Sequence, residues 1–205
     1  MNLSENDRQG IEERAARLEA RSGVQVVAAL VDKCDAYPEI PWKAFALFSA
    51  LAFLAATLWQ PDAVLGGLTF LGCGAAAALA TVFLPAFARL FLQAGRRDAE
   101  VRQYAESFFL KHALFDTRGR CGILVLVGLF ERSVVILPDS GLHERIGSAE
   151  LESIISSMKP ALADGRHAAA MLDGLNALEA LLVARGFAGG GSDEIAQELI
   201  VEKGA

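Results

Sequence analysis

Two long apolar stretches, separated by one short polar break, constrain this chain more than any other feature. Between Ala44 and Ala88 the only charged side chain is Asp62. A helix needs about 17–25 apolar residues to cross a hydrocarbon core about 30 Å thick. Residues 63–84 meet that requirement directly, and residues 44–59 meet it with the help of their flanking side chains. Because Pro61 ends the first helix, we predict a transmembrane helical hairpin.

Aromatic and basic residues at the ends of the two stretches support this prediction and orient the hairpin. Trp42 and Trp59 suit the membrane–water interface. The basic residues lie on the two flanks and none lies in the loop: Lys43, Arg89, Arg96 and Arg97. By the positive-inside rule, we expect both soluble flanks, and with them both termini, to face the cytoplasm, and the loop to face out. The alternative is a buried helix pair in a soluble protein, although a 205-residue chain has little material to cover two uncharged helices on all sides.

Charge and cysteine content exclude several classes of function. A formal net charge of −6 leaves no basic surface for nucleic acid. The three cysteines form neither a disulfide framework nor a zinc pattern, which fits a reducing compartment. The sequence shows no nucleophile–histidine arrangement, Walker A loop or dinucleotide fingerprint. The polar, acidic N-terminal residues do not resemble a secretory signal peptide.

The soluble parts of the chain alternate between strand and helix patterns. Residues 24–31 are a β-branched apolar run without alternation, which is typical of a strand covered on both faces. Residues 122–130 and 133–137 are two further strands, and their short separation predicts an antiparallel hairpin. Amphipathic helices are predicted near residues 4–22, 96–114, 148–159 and 166–185. The fold class is therefore α/β, a mixed sheet of at least three strands packed with helices, with an inserted transmembrane hairpin.

This order predicts four segments. Residues 1–40 form the first part of the α/β domain, and residues 41–92 form the transmembrane hairpin. Residues 93–187 complete the domain. Residues 188–205 are a flexible linker and tail, because the Gly189–Ser192 stretch has the composition of a flexible linker.

The strand pair has a sequence that resembles a known family. Residues 121–142, CGILVLVGLFERSVVILPDSGL, resemble the central hairpin of the TPM domain, with its charged turn and following Gly-Leu. Thr117-Arg118 and Phe108 match the preceding stretch, and residues 21–27 match the opening strand of the family. The resemblance covers about residues 10–187, and the inserted hairpin is similar to that of a membrane-bound bacterial subgroup.

The resemblance does not imply one activity, because members of the family are described with different functions. The family includes proteins described as acid phosphatases and as photosystem repair factors, and some members bind a divalent cation. Asp139 matches a position near the acidic loop after the second hairpin strand, while Asp32 and Asp35 follow the first strand. Where related members carry Gly-Tyr-Gly-Leu-Glu, this chain has Asp-Ser-Gly-Leu-His at residues 139–143.

Two functional hypotheses follow. If the first and third strands run parallel, Asp32 or Asp35 meets Asp139 at the carboxyl ends of the sheet, where calcium or another divalent cation would support a weak phosphatase. Otherwise, each aspartate is a turn residue at a strand end. The second hypothesis, which we favour, is a membrane-tethered interaction or assembly module without catalysis. Its expected partners are the lipid bilayer and either another membrane protein or a second copy of the chain.

Overall fold

A computed structural model of the chain describes residues 4–59, 62–143, 145–189 and 199–204. The chain divides into two compact units, which are described separately. The α/β unit takes Met1–Asp35 and Asp98–Ala205, and the hairpin unit takes Ala36–Arg97. The apolar segment is therefore an insertion after the first strand.

The helices and strands follow one another in this order: α1 (Glu5–Ser22), β1 (Gln25–Lys33), α2 (Glu39–Trp59), α3 (Ala63–Phe83), α4 (Pro85–Ala88), a 3-10 turn (Arg89–Phe91), α5 (Ala94–Lys111), a second 3-10 turn (Arg118–Arg120), β2 (Gly122–Gly128), β3 (Ser133–Pro138), α6 (Ser140–His143), α7 (Ser148–Ala163), α8 (His167–Ala184) and β4 (Ile200–Gly204).

The α/β unit is built on a mixed sheet with strand order β3-β2-β1-β4. β1 runs parallel to both β2 and β4, whereas β2 and β3 are antiparallel. Gln25 pairs with Gly122 and Val31 with Gly128, so β1 and β2 begin at the same end of the sheet. The prediction of a mixed sheet of at least three strands packed with helices is confirmed.

Helices cover both faces of this sheet, which explains why β1 lacks alternation. Val26, Ala28 and Leu30 face one hydrophobic cluster together with residues of α1, α7 and α8. Val27, Ala29 and Val31 face a second cluster together with Val101, Ala105 and Phe108 of α5. Successive side chains of a strand point to opposite faces, so an apolar run requires an apolar layer on each side.

Local capping explains where α1 begins and ends. The backbone N–H of Asp7 donates to the hydroxyl of Ser4 at 3.1 Å, as the Ser-x-x-Asp pattern predicts. Gly23 follows the helix with a φ of 70°, and its N–H donates to the carbonyl of Glu19. This left-handed conformation is one that glycine adopts without strain.

Three details differ from the sequence prediction. The sequence predicts Ser148 as the cap of this helix, but Gly147 occupies the cap position of α7, and its N–H donates to Glu150 Oε2 at 2.9 Å. Pro160 lies inside α7 and does not follow it. The connection from β2 to β3 spans residues 129–132, two residues more than predicted, and Arg132 takes a φ of 50°.

The end of the chain is partly structured. Residues 200–204 form β4; the sequence pattern leaves a short helix, an extended segment or disorder open for the tail. β4 forms because residues 200–204 pair in parallel with β1. This pairing is a long-range contact, which no local sequence pattern predicts. Most of the predicted glycine linker falls within residues 190–198, which lie outside the described residues.

The hairpin unit consists of α2 and α3, each 21 residues long, followed by α4. Asp62 caps α3 by accepting hydrogen bonds from the N–H groups of Val64 and Leu65 at 2.7 and 3.1 Å. α4 lies against α2, since the rings of Phe48 and Phe87 are 5.8 Å apart. At the end of the hairpin unit remote from Asp62, Glu39 lies 3.3 Å from Arg96 and 3.8 Å from Lys43.

Among the residues that the structure describes, three helices are long and apolar enough to cross a membrane, judged by length and composition: α2, α3 and α8. The first two agree with the predicted hairpin. The third was not predicted as a span, and α8 buries an apolar stripe in the core of the α/β unit: Ala170, Met171, Leu175, Leu178 and Leu182.

Candidate functional site

The carboxyl end of β1 holds two of the three predicted metal ligands. Asp32 lies within β1 and Asp35 two residues beyond it, and both side chains are partly exposed. The backbone carbonyl of Asp32 accepts a hydrogen bond from the N–H of Phe130 at 3.0 Å. The turn between β2 and β3 therefore lies beside this end of β1.

A buried glutamate closes this end of the sheet. Glu131 is 2% exposed, and its Oε1 accepts a hydrogen bond from the backbone N–H of Cys34 at 2.9 Å. Gly128 makes room for it, because a Cβ there would lie 2.7 Å from Glu131 Oε2. Burial, and then the charge of Glu131, raise the pKa of the Cys34 thiol. This cysteine therefore stays protonated at neutral pH and is not a nucleophile.

A second carboxylate joins β4 to α5. The hydroxyl of Tyr104 donates to Glu202 Oε2 at 2.6 Å, and Lys111 Nζ lies 2.7 Å from Glu202 Oε1. His112 Nε2 is 3.7 Å from the same oxygen. Hydrogen bonds from Lys111 and Tyr104 lower the pKa of Glu202, while burial raises the pKa of Tyr104. Glu202 is therefore a fixed anion that anchors β4.

Asp139, the third predicted ligand, follows β3 and is 5% exposed. Its carboxylate accepts a hydrogen bond from the N–H of Ser140 at 2.6 Å and lies 2.9 Å from Nε of Arg120. Gly141 packs against the same loop, because a Cβ there would lie 2.0 Å from the carbonyl oxygen of Gly119. Asp139 thus fixes the loop that precedes β2 to the turn that follows β3.

The structure places Asp139 at the opposite end of the sheet from Asp32 and Asp35. β1 is parallel to β2 and β3 is antiparallel to β2, so the assumption that the first and third strands run parallel is wrong. The N–H of Asp139 bonds to the carbonyl of Gly122 at the start of β2, whereas Asp32 lies beyond its end. The six steps from Gly122 to Gly128, at about 3.3 Å each, place the two ends of β2 about 20 Å apart. One cation, with ligands at about 2.3–2.6 Å, does not bridge that distance.

Within the described part of the chain, no group of three or more His, Cys, Asp or Glu side chains is arranged to hold a metal ion. Binding of a cation by Asp32 and Asp35, or by Asp139, stays a prediction, and calcium titration of the full chain tests it. Sequence reasoning missed Glu131 and Glu202. A charged turn residue and a charged tail residue are normally solvated, so neither carried a signal of burial.

The family model of the TPM domain matches residues 81–181, which include α5, the β2–β3 hairpin and α7. The chain contains a TPM domain. The NMR structure of BA42 protein from the psychrophilic bacterium Bizionia argentinensis is similar in fold to this chain, with a TM-score of 0.61. The two are 11% identical, over 98% of this chain and 96% of that one, so the likeness concerns the fold. A search of curated proteins found no match.

Within the TPM domain, the contacts described above hold strand ends together. Glu131 bonds to the end of β1, Asp139 ties two loops at the opposite end, and Glu202 binds β4 to α5. Each of these carboxylates is already engaged by a neighbouring donor. The arrangement rigidifies the sheet, whose outer edges are β3 and β4.

Proposed function

We propose that this protein is a membrane-tethered TPM-domain protein of the bacterial inner membrane, acting as an interaction or assembly module without catalysis. The observation that carries the proposal is the surface of the hairpin. α2 and α3 each bury only three residues, while large apolar side chains are exposed along both helices. Trp59 is 89% exposed and Leu58 81% exposed. Such a surface is stable in lipid and costly in water.

The charges of the hairpin unit support its orientation. Lys43, Arg89, Arg96 and Arg97 lie on the flanks, and Asp62 caps α3 at the loop. Basic flanks are retained in the cytoplasm, so the TPM domain lies in the cytoplasm and the loop lies outside. The chain passes between the two units twice, at residues 35–36 and 97–98, which ties the domain to the bilayer by two covalent connections.

The state of the carboxylates supports a module in preference to an enzyme. A metal-dependent phosphatase needs carboxylate oxygens that converge on one point. Asp32 and Asp139 lie at opposite ends of the sheet, and Asp139 is paired with Arg120. The partner of the module is another membrane protein or a second copy of the chain, since the hairpin confines both to one plane.

Purification from bacterial membranes in mild detergent tests this proposal. We expect the full-length protein to elute with a stoichiometric partner or as a homo-oligomer, measured by light scattering and quantitative mass spectrometry. The matched control is Leu71→Arg, because Leu71 is 51% exposed on α3 and a central arginine opposes insertion. A wild-type protein that is monomeric, without a partner, in several mild detergents would contradict the proposed role.

A further inference from the structure

β3 is an outer strand of the sheet, and one side of its backbone has no neighbouring strand. Among the described residues it pairs with β2 alone. The N–H of Asp139 donates to the carbonyl of Gly122 at 2.8 Å, and in an antiparallel ladder every second residue bonds to the same neighbour. The odd-numbered residues of β3 therefore bond to β2, while the N–H and C=O groups of Val134 and Ile136 point away from it.

The open side of β3 carries little that would prevent a further strand from pairing with it. Natural edge strands are commonly protected by charged side chains, prolines or bulges. Residues 134–137 are Val-Val-Ile-Leu, without a charge. Pro138 protects only the end of the strand, so the outward-facing groups of Val134 and Ile136 keep their donors and acceptors. Backbone groups of this kind bond to water or to an added strand.

A cleft lies beside this strand, on the face of the sheet that α5 covers. It has a volume of about 280 Å³ and is lined by Glu106, Phe109 and Leu110 of α5 and by Leu137 and Pro138 of β3. Leu110 is 66% exposed, which is unusual for a large apolar side chain of a folded domain. Glu106 is exposed and brings a negative charge to the cleft. The cleft therefore fits an apolar side chain with a cationic side chain next to it.

We propose that the β3 edge, meaning the outward-facing groups of Val134 and Ile136 together with this cleft, binds an extended segment of another protein as an added strand. This inference rests on the proposed function, for which it locates the partner-binding surface. Backbone hydrogen bonds supply the affinity, and the cleft selects an apolar residue with a lysine or arginine beside Glu106. β3 of a second copy does not fit this description, because residues 133–138 contain no basic side chain to neutralise Glu106.

Peptide selection by the full-length protein in detergent tests this surface. The probe is a displayed library of random linear peptides, and the enriched peptides are titrated by fluorescence anisotropy. We expect them to alternate apolar and polar residues and to carry a lysine or arginine. Val134→Pro replaces an outward-facing N–H and leaves the ladder to β2 intact, so it should weaken their binding at least about tenfold. Val134→Ala is the matched control, because it removes the same side chain, keeps the donor and should bind within about threefold of the wild type.

Glu106→Arg tests the same surface if Val134→Pro does not fold, because Glu106 is exposed and its replacement disturbs no core contact. We expect this variant to bind the selected peptides at least about tenfold more weakly, and a glutamate in place of the peptide's basic residue to restore binding. A library that yields no enriched sequence, or peptides that bind the wild type and both variants equally, overturns the proposal.

Purification of the same variants from membranes separates this inference from the proposed function. A partner that is recovered equally with the wild type and with folded Val134→Pro overturns the β3 edge and leaves the proposed function intact. A homo-oligomer that dissociates in Val134→Pro identifies a second copy as the occupant and overturns the assignment to another protein. A wild-type monomer that has no partner and selects no peptide removes both proposals.

Discussion

Helices α3 and α8 have similar length and composition but different surroundings. α3 has 21 residues and buries three of them: Gly74, Ala77 and Thr81. α8 has 18 residues and buries seven, mostly large apolar side chains that contact the core beneath the sheet. In the most apolar 18-residue stretch of each helix, 39% of the residues are buried in α8 and 11% in α3. Length and hydropathy alone therefore do not distinguish a core helix from a membrane helix.

The difference lies in what each helix packs against. α8 contacts α1 and α7, and its polar positions form ion pairs, such as Glu179 with Arg21 at 2.5 Å. α3 has no charged residue between Ala63 and Phe83, and its neighbour α2 covers one narrow side. A helix that is apolar on every face needs an apolar surrounding on every face, and the described residues of the hairpin unit cover only part of α3.

Matched leucine truncations should separate the two helices most strongly. Leu175→Ala removes a fully buried side chain of α8, and such changes cost about 2–5 kcal/mol of unfolding free energy. Leu71→Ala in α3 removes a side chain that is 51% exposed in this fold, and we expect less than about 1 kcal/mol. Denaturant unfolding of the full-length protein in detergent, followed separately for the α/β unit and the hairpin, measures both. Equal losses would remove the distinction between the helices.

Two glycines of α3 test where the hairpin is tightly packed. A Cβ at Gly74 would lie 2.1 Å from Ser49 Oγ and 2.9 Å from the ring of Phe45, whereas a Cβ at Gly67 meets nothing within 4 Å. We expect Gly74→Ala to lower the free energy of unfolding of the hairpin by about 1–3 kcal/mol, because the added methyl group overpacks this contact. Gly67→Ala is the control and should be neutral or slightly stabilising. A large loss in the Gly67 variant would show that an unseen neighbour packs there.

Removal of the Glu131 carboxylate tests how much a buried charged side chain contributes to the stability of the α/β unit. Glu131→Ala leaves the N–H of Cys34 without its acceptor, which costs about 1–3 kcal/mol of unfolding free energy. Glu131→Gln keeps an acceptor and should recover part of this loss. It also removes the charge that adds to the effect of burial on the Cys34 thiol, so alkylation of this thiol at high pH should become faster. Identical stability of both variants and the wild type would contradict this account of the β2–β3 turn.

Glu202 gives the smallest expected effect, and its sign follows from its pKa. Lys111 and Tyr104 lower the pKa of Glu202 in the folded state, so the stabilisation is present above the pKa of the unfolded state. It disappears as the pH falls through the lowered pKa of the folded state. The difference in unfolding free energy between wild type and Glu202→Gln should be about 0.5–1 kcal/mol at pH 7 and vanish in acid. A difference that grows as the pH falls would be inconsistent with this pairing.

The parts of the fold that depend on local patterns were predictable from the sequence. Patterns in consecutive residues indicate each of these elements: the strand β1, the β2–β3 hairpin and the two uncharged helices. The direction of β3 relative to β1 was not predictable from local patterns, because it depends on how β2, which lies between them, pairs with β1. Asp32 and Asp35 therefore lie at one end of the sheet and Asp139 at the other, and metal binding by these residues stays a prediction. β4 was missed because its pairing partner, β1, lies about 170 residues away in the sequence.

The account rests on the hairpin being surrounded by lipid, and the most direct measurement is the behaviour of the full-length chain in membranes without detergent. Membranes from expressing cells are washed in alkaline carbonate, and Asp62→Cys in a background lacking native cysteines is labelled with an impermeant maleimide. We predict that the protein stays in the membrane pellet and that position 62 reacts from outside intact spheroplasts, whereas Cys121, restored alone, reacts only after lysis. Recovery of the protein in the carbonate supernatant as a monodisperse species, with position 62 unlabelled from outside, would contradict the membrane hairpin.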